Sequence, residues 1–449
     1  MSTKMDGITQ PSLFSGTLRM DIVVHEKDRY RVLSEELGWL GLAEVANRYR
    51  SKVVDIEDGR PLNLRLHLGA LIAQGMNGWT DRETEEMICY HAGLRLLCGL
   101  EQSSETIDHT NIEGFRNQLG AEGVEALNTI VLKTALGNKF TKVTLCSSDT
   151  TVQEAPIAYP TEAGHLKRIS EKLFGIGTHL KQGMKSKLSE LSKRAQKTFA
   201  QIRLFTRGKT DKVIERKKRL MKRLHSIVRK MYFTVESEVA TLRPRSRKKY
   251  NESLELYRQM LLQIWQWIRT GFHPRGKIIS LWNTEARAIS RSKAGKSTEF
   301  GRRWIISRLL GGYILGKPCA VGAGVDTAIV PEVLSHFSTI LGDLPKMLVY
   351  DRGADSKFNH ASLKELGVKK NGIFRKGRLS LKGLSKRSMT IARRERALSE
   401  ATIATIKSAR YGFNRPRARS MQACMLKGQL AILGANLNHL ASNFAQRTQ

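Results

Sequence analysis

The runs "TKVTLCSSDTT" (Thr141–Thr151) and "PKMLVYDRGADS" (Pro345–Ser356) each show strand-like apolar patterning that ends on one carboxylate, Asp149 in the first and Asp351 in the second. Reactive groups gather at the carboxyl edge of an α/β sheet. A third carboxylate, Glu400, lies in the helical run "RRERALSEATIATIKSARYGFNRPRAR". At about 100° per residue, Arg393, Arg396, Glu400 and Lys407 fall within an arc of roughly 60°, with Ile391, Leu398 and Ala409 on the opposite side. The helix therefore has an apolar packing face and a second face carrying one carboxylate among cations. Taken alone, Arg396–Glu400 is an ordinary i,i+4 pair worth ~0.3–0.5 kcal/mol. Beside two strand-end aspartates it points to more. Carboxylates that converge repel one another unless divalent cations occupy the site, and Mg²⁺ favours oxygen ligands and substrate phosphates. Two such ions about 3.5–4 Å apart suit phosphodiester cleavage or transfer. The chemistry expected is phosphoryl transfer on a nucleic-acid backbone.

Neighbouring residues offer competing assignments. Asp355 follows Asp351 by four residues but falls beyond the strand pattern, and Glu395 projects about 140° from Glu400. Glu154 and Glu299 read as structural. Asp108 and His109 resemble a lone metal pair but fit a turn or helix cap better. Trp265 and Trp267 could stack on bases, although core packing is the simpler reading.

The elements that must position these residues follow from patterning. Residues 17 to about 135 read as helical, with "TDRE" (Thr80–Glu83) a capping box and "IDHTNIEGFRNQLG" (Ile107–Gly120) a turn and short helix. We read 1–138 as a helical domain for DNA-end binding or dimerisation and 139–164 as the first part of a catalytic core. A basic helical hairpin is expected over 165–272, the rest of the core over 273–420 and a carboxyl-terminal helix over 421–449. "KIISLW" (Lys277–Trp282), "RWIISRLLGGYILG" (Arg303–Gly316) and "GIFRK" read as strands, with a helix over Pro331–Leu341 and a basic loop after "GIFRK". The fold class is α/β, a mixed sheet with helices interrupted by a long helical insertion.

Charge identifies the partner. The chain has 449 residues, 76 Lys and Arg against 41 Asp and Glu, and a net charge of +35. Residues 181–250 alone carry 23 Lys and Arg against 5 Asp and Glu. Such a balance predicts a polyanion, and the insertion is the expected contact with a phosphate backbone through Arg216, Lys217, Lys218, Arg219, Lys222 and Arg223. Five cysteines without CxxC spacing argue against a disulfide framework or zinc ribbon. No signal-peptide core stands at "MSTKMDGITQPSLFSG" and no run reaches membrane-span length, so a cytoplasmic, nucleoid-associated protein with no membrane contact is expected.

The chain resembles DDE transposases of bacterial insertion sequences. "LRLHLGALIAQGMNGWTDRETEEMICYHAGLRLLCGL" with "IDHTNIEGFR" looks like their helical amino-terminal domain. "SSDTTVQEAPIAYPTEAG" looks like the first catalytic aspartate segment, and "STEFGRRW" and "YDRGADS" resemble the middle strands and second aspartate. "RALSEATIATIKSARYGFNR" resembles the glutamate helix, keeping the Arg-x3-Glu-x6-Lys spacing of a Tyr-Arg-Glu-Lys signature, with Arg393 at the tyrosine position. The resemblance implies an RNase H-like core and Asp149, Asp351 and Glu400 as catalytic metal ligands for two Mg²⁺ ions, Mn²⁺ substituting. It makes Arg396 and Lys407 strand contacts. It implies cleavage at terminal inverted repeats, transfer of the exposed 3′-OH into target DNA, and a homodimer or higher assembly on DNA. The alternatives are another RNase H-like nuclease and an inactive transposase-derived DNA-binding protein.

Overall fold

The computed structural model describes residues 24–447 apart from 56–61, 102, 181–183, 206, 207, 209, 294, 295, 321–324 and 376–382. The amino-terminal segment "MSTKMDGITQPSLFSG" and most of the basic loop after "GIFRK" lie outside the described residues. The chain divides into two compact units, one of residues 1–141 and 433–449, the other of 142–432.

The first unit is helical: α1 (Arg29–Glu36), α2 (Trp39–Arg50), α3 (Leu64–Asn77), α4 (Asp81–Tyr90), α5 (Ala92–Leu97) and α6 (His109–Gly137). The apolar-periodic residues of Tyr30–Tyr49 fall in two helices, α1 and α2. The Thr80–Glu83 capping box is present, with Thr80 Oγ1 accepting from Glu83 N and Glu83 Oε2 from Thr80 N. Helix α3 is buried along Leu66–Met76, which suits its lack of a polar face. Asp108 caps α6, accepting from the Thr110 N–H. That helix breaks at Gly120 (φ 64°) and resumes to Gly137, so the short helix expected from Ile107 has a continuation.

The second unit contains β1 (Lys142–Glu154) and then α7 (Glu162–Leu180), α8 (Met184–Phe205), α9 (Asp211–Ala240) and α10 (Pro244–Thr270). The expected hairpin is therefore four helices. They share an apolar core that includes Leu173, Leu188, Leu224, Val228, Met231, Val235 and Ile264. After them come β2 (Arg287–Lys293), β3 (Lys296–Leu310), β4 (Ile314–Pro318), α11 (Val330–Leu341), β5 (Met347–Tyr350), α12 (Lys357–Glu365), β6 (Lys370–Ile373), α13 (Lys386–Ile406) and α14 (Met421–Arg447). The last helix begins in this unit and ends in the first. "KIISLW" is not a strand. Ile279 packs with Ala155, Ala286, Met421 and Cys424, and the Ser280 hydroxyl accepts from the Trp282 and Asn283 N–H groups, which turns the chain.

The described strands form one mixed sheet of order β2-β3-β1-β5-β6, with β4 also on β3. Strands β1 and β3 are antiparallel, while β5 and β6 run parallel to β1. A side chain at Gly301, in "STEFGRRW", would collide with the Gln153 carbonyl, so β3 approaches β1 there as only glycine permits. Among the described residues, no helix is long and apolar enough to cross a membrane.

Candidate active site

Asp149 does not end its strand. β1 continues to Glu154, because β3 pairs with it as far as Glu154↔Gly301. What ends near Asp149 is the other neighbour. β5 pairs with β1 through Leu145↔Met347, Cys146↔Leu348 and Ser147↔Val349 and stops at Tyr350. Two further steps of that register set Asp149 level with Asp351. Alternation puts both on the face that carries Leu145, Ser147, Met347 and Val349. On that face Leu145, Met347 and Val349 pack with Ala392 of α13.

Helix α13 is held to β1 by small polar residues. The Ser147 hydroxyl donates to the Glu395 carbonyl (3.2 Å), and the Ser399 hydroxyl donates to Ser147 Oγ (2.7 Å). The buried face of α13 is Ser388, Ala392, Glu395, Ser399 and Ile406. The apolar face expected at Ile391, Leu398 and Ala409 is displaced: Ile391 and Leu398 are half-buried, and Ala409 is exposed beyond the helix. Small side chains bring the helix closer to the strand than branched ones would. Glu395 is buried and paired with Arg308, whose guanidinium is lowered from its ordinary pKa by burial.

Glu400 follows Ser399 and is exposed, paired with Arg396 at 3.3 Å. Arg396 also lies over the Phe374 ring, 5.3 Å from its centroid. Arg393 is exposed, and Lys407 caps the helix end, its N–H donating to the Ile403 carbonyl. Among the described residues, the metal-ligating atoms that gather within 4.8 Å of one another are those of Glu85, Asp108 and His109, not those of Asp149, Asp351 and Glu400. The Glu85 carboxylate accepts from the His109 N–H and meets its ring Nδ1 at 2.8 Å, so that group is a hydrogen-bonded helix start.

The local bonds of the aspartates fix their orientation. Asp149 Oδ1 accepts from the Thr150 N–H (2.7 Å), and Asp351 Oδ1 accepts from the Gly353 N–H (2.8 Å) at a 3-10 turn over Arg352–Ala354. Asp355 is engaged elsewhere: His360 Nε2 donates to it (2.9 Å). Glu154 takes a double contact from Arg415. The reading missed Asp326, in a 3-10 turn after β4, which accepts from the Thr150 hydroxyl at 2.9 Å. No strand pattern leads into it, so the rule that found the other aspartates passes over it. The residues suit a hard cation: on the continued β1–β5 register two carboxylates supply oxygen donors. Cys146 is no nucleophile, since burial pushes its thiol up to about 11.

In the helical part of this unit, Arg216, Lys217, Lys218, Arg219, Lys222 and Arg223 are all exposed on α9. Trp265 is half-exposed and stacks on His225, and Trp267 stacks on His273.

Residues 19–118 match a family model described as Transposase domain (DUF772). The match supports a transposase family and a role in transposition. It falls on the amino-terminal helices and does not reach the aspartates. No curated protein and no solved structure matches the chain.

Proposed function

We propose that this protein is a DDE-type transposase with an RNase H-like core, which cleaves DNA at the ends of its element and joins them to target DNA. The observation that carries the reading is the parallel pairing of β1 with β5 as far as Ser147↔Val349 on a sheet face packed by α13, a register that, continued, brings Asp149 level with Asp351. The family match over residues 19–118 agrees with it independently. Asp149, Asp351 and Glu400 would hold Mg²⁺, or Mn²⁺ in its place. When bound, the cation supplies Lewis-acid stabilisation of charge on the phosphoryl group.

The chain's own residues do the rest. Ser147 and Ser399 keep α13 on β1, so that Glu400 is carried by the helix nearest the aspartates. Arg393, Arg396 and Lys407 lie on the Glu400 side and would hold the phosphates of the strand being cut. The exposed cations of α9 would bind the flanking backbone without reading sequence. Binding two terminal repeats and a target calls for a dimer or larger assembly on DNA.

The test is strand transfer. Purified protein with Mg²⁺ should join a labelled end, cut from the repeats flanking its gene, to a target plasmid, and Asp149→Asn and Asp351→Asn should each abolish joining. Hydrolysis without joining would indicate a nuclease instead. Joining that survives Asp149→Asn would refute the catalytic assignment.

A further inference from the structure

The sheet face packed by α13 carries a second feature at its other end. Asp351 follows β5, whereas a cavity of about 620 Å³ lies where β5 and β6 begin. Met347 lines that cavity and precedes Asp351 by about 13 Å of extended chain. The register builds its floor. Leu145 pairs with Met347, Met347 pairs with Lys370, and Arg308 stands opposite Ser147. Alternation therefore sets Arg308, Leu145, Met347 and Lys370 on one face, across four strands or about 14 Å. Leu310 and Ile391 complete an apolar floor with Leu145 and Met347.

Charge is distributed unevenly around this floor. Arg308 is paired with buried Glu395, and those two charges cancel. At the β5–β6 side Lys346, Lys369 and Lys370 line the cavity together. Their main chains are joined, the Lys370 N–H donating to the Lys346 carbonyl at 2.9 Å. Lys370 Nζ donates to the Ser388 hydroxyl at 3.2 Å, which holds it under α13. Arg394 adds a fourth cation from the helix. Among the described residues, no carboxylate pairs with any of these four. Like charges collected at one cavity repel, and a bound anion offsets the repulsion. A backbone contact alone would need no apolar floor, and a bare phosphate would leave that floor wet. Apolar walls with a few convergent polar groups, in a cavity of this size, are the make-up of a small-ligand site.

We propose that this cavity is a nucleotide site separate from the catalytic acids. Lys346, Lys369 and Lys370 hold the phosphates, and the base is seated over Leu145, Met347, Leu310 and Ile391. The nucleotide is free in solution or is one unit of a DNA strand, and the chemistry recognised is the same. The site does not rest on the metal-binding reading above.

The probe is ATP, titrated by calorimetry into the full chain without DNA and in EDTA, so that no divalent cation bridges it to the acids. One ATP per chain is expected to bind. Lys346→Gln combined with Lys369→Gln, both exposed residues, should weaken binding about tenfold or more through loss of charge-assisted hydrogen bonds. Tripolyphosphate should bind about fivefold or more weakly than ATP, because nothing then covers the floor. Asp351→Asn and the α9 variant Arg219→Gln, Lys222→Gln, Arg223→Gln should each bind ATP within about twofold of the unaltered protein. ATP binding unchanged by loss of the two lysines, or lost in the α9 variant instead, would overturn the site. Tripolyphosphate binding as tightly as ATP would overturn the seat for a base. A single-stranded oligonucleotide distinguishes the sources: competition with ATP, weakened by the same lysine changes, identifies a DNA strand, and ATP binding without competition identifies a free nucleotide. Absence of ATP binding, with oligonucleotide binding unaffected by the lysine changes, refutes the proposal. Should the double variant fail to fold by circular dichroism, Lys369→Gln alone carries the same test.

Discussion

Three cations on α9 make the electrostatic reading quantitative. About Arg219, Lys222 and Arg223 lie within an arc of roughly 100°, and Lys217 lies on the far side with the core residues Met221, Leu224 and Val228. One phosphate ridge can reach the first three together but not Lys217. Each phosphate contact contributes about 0.9 to the slope of log K against log salt, so replacing all three by Gln should reduce the slope by about 2.7. Counterion release alone then lowers affinity about 100-fold near 0.15 M salt, with a smaller loss at higher salt. Lys217→Gln should leave the slope nearly unchanged. The assay is fluorescence anisotropy with a labelled duplex over a salt series, using circular dichroism to check folding. A triple variant that binds more weakly but keeps the original slope would refute phosphate contact by this face, because loss of affinity by misfolding or altered shape does not remove counterion release.

Other expectations concern the scaffold and the protonation of its core. Ser399→Ala removes the hydroxyl that donates to Ser147 and should cost about 1 kcal/mol, measured by thermal melting; Ser399→Leu should cost roughly 1–3 kcal/mol by overpacking and should impair DNA joining more than DNA binding, because it pushes α13 off β1. Equal impairment of both would count against α13 as a positioner of Glu400. His165 is buried with both ring nitrogens unpartnered, and burial pushes its pKa down to about 4. The unfolded chain then takes up a proton between about pH 6.5 and pH 4 that the folded chain does not, so stability falls as pH falls through that window, by up to roughly 3 kcal/mol. Melting temperatures of His165→Leu should lose that part of the acid sensitivity, and an unchanged pH profile would refute it. Asp351→Asn should leave binding of end DNA within about threefold while abolishing cleavage, because its loss removes an interaction used in the reaction more than in ground-state binding; gel-shift and cleavage assays on one preparation distinguish the two.

Period and termination signals made part of this legible. The continuous apolar run of Met347–Tyr350 and the polar break at Asp351 belong to the chain itself, and the strand there is short. The extent of β1 does not. "DTTVQE" alternates weakly, and it stays extended because β3 supplies a partner along its whole length. The helical insertion was misjudged in number for a related reason. Gly175 and Gly177 interrupt the periodicity of α7, yet a Cβ at Gly177 would strike Leu188, so that glycine permits α7 and α8 to pack closely. The buried face of α13 was also hidden, because Ser399 and Ser147 are polar residues whose burial depends on each other across 252 positions.

Asp326 shows why the surroundings of Asp149 and Asp351 are only half visible in sequence. A strand that outlasts its parallel neighbour leaves an edge, and something must occupy the place of the missing strand. Here β5 turns away after Tyr350, and the loop bearing Asp326 comes in beside Thr150, with Asn359 tying it to the turn that follows Asp351. Asp149 and Asp351 are legible because a strand leads to each. Asp326 is placed by the gap between those strands, and a gap has no local pattern. The same geometry explains the acidity of this corner in a basic chain. Thr150 and Gly353 donate to the carboxylates themselves, and Asn359 holds the main chain of Asp326 by its carbonyl.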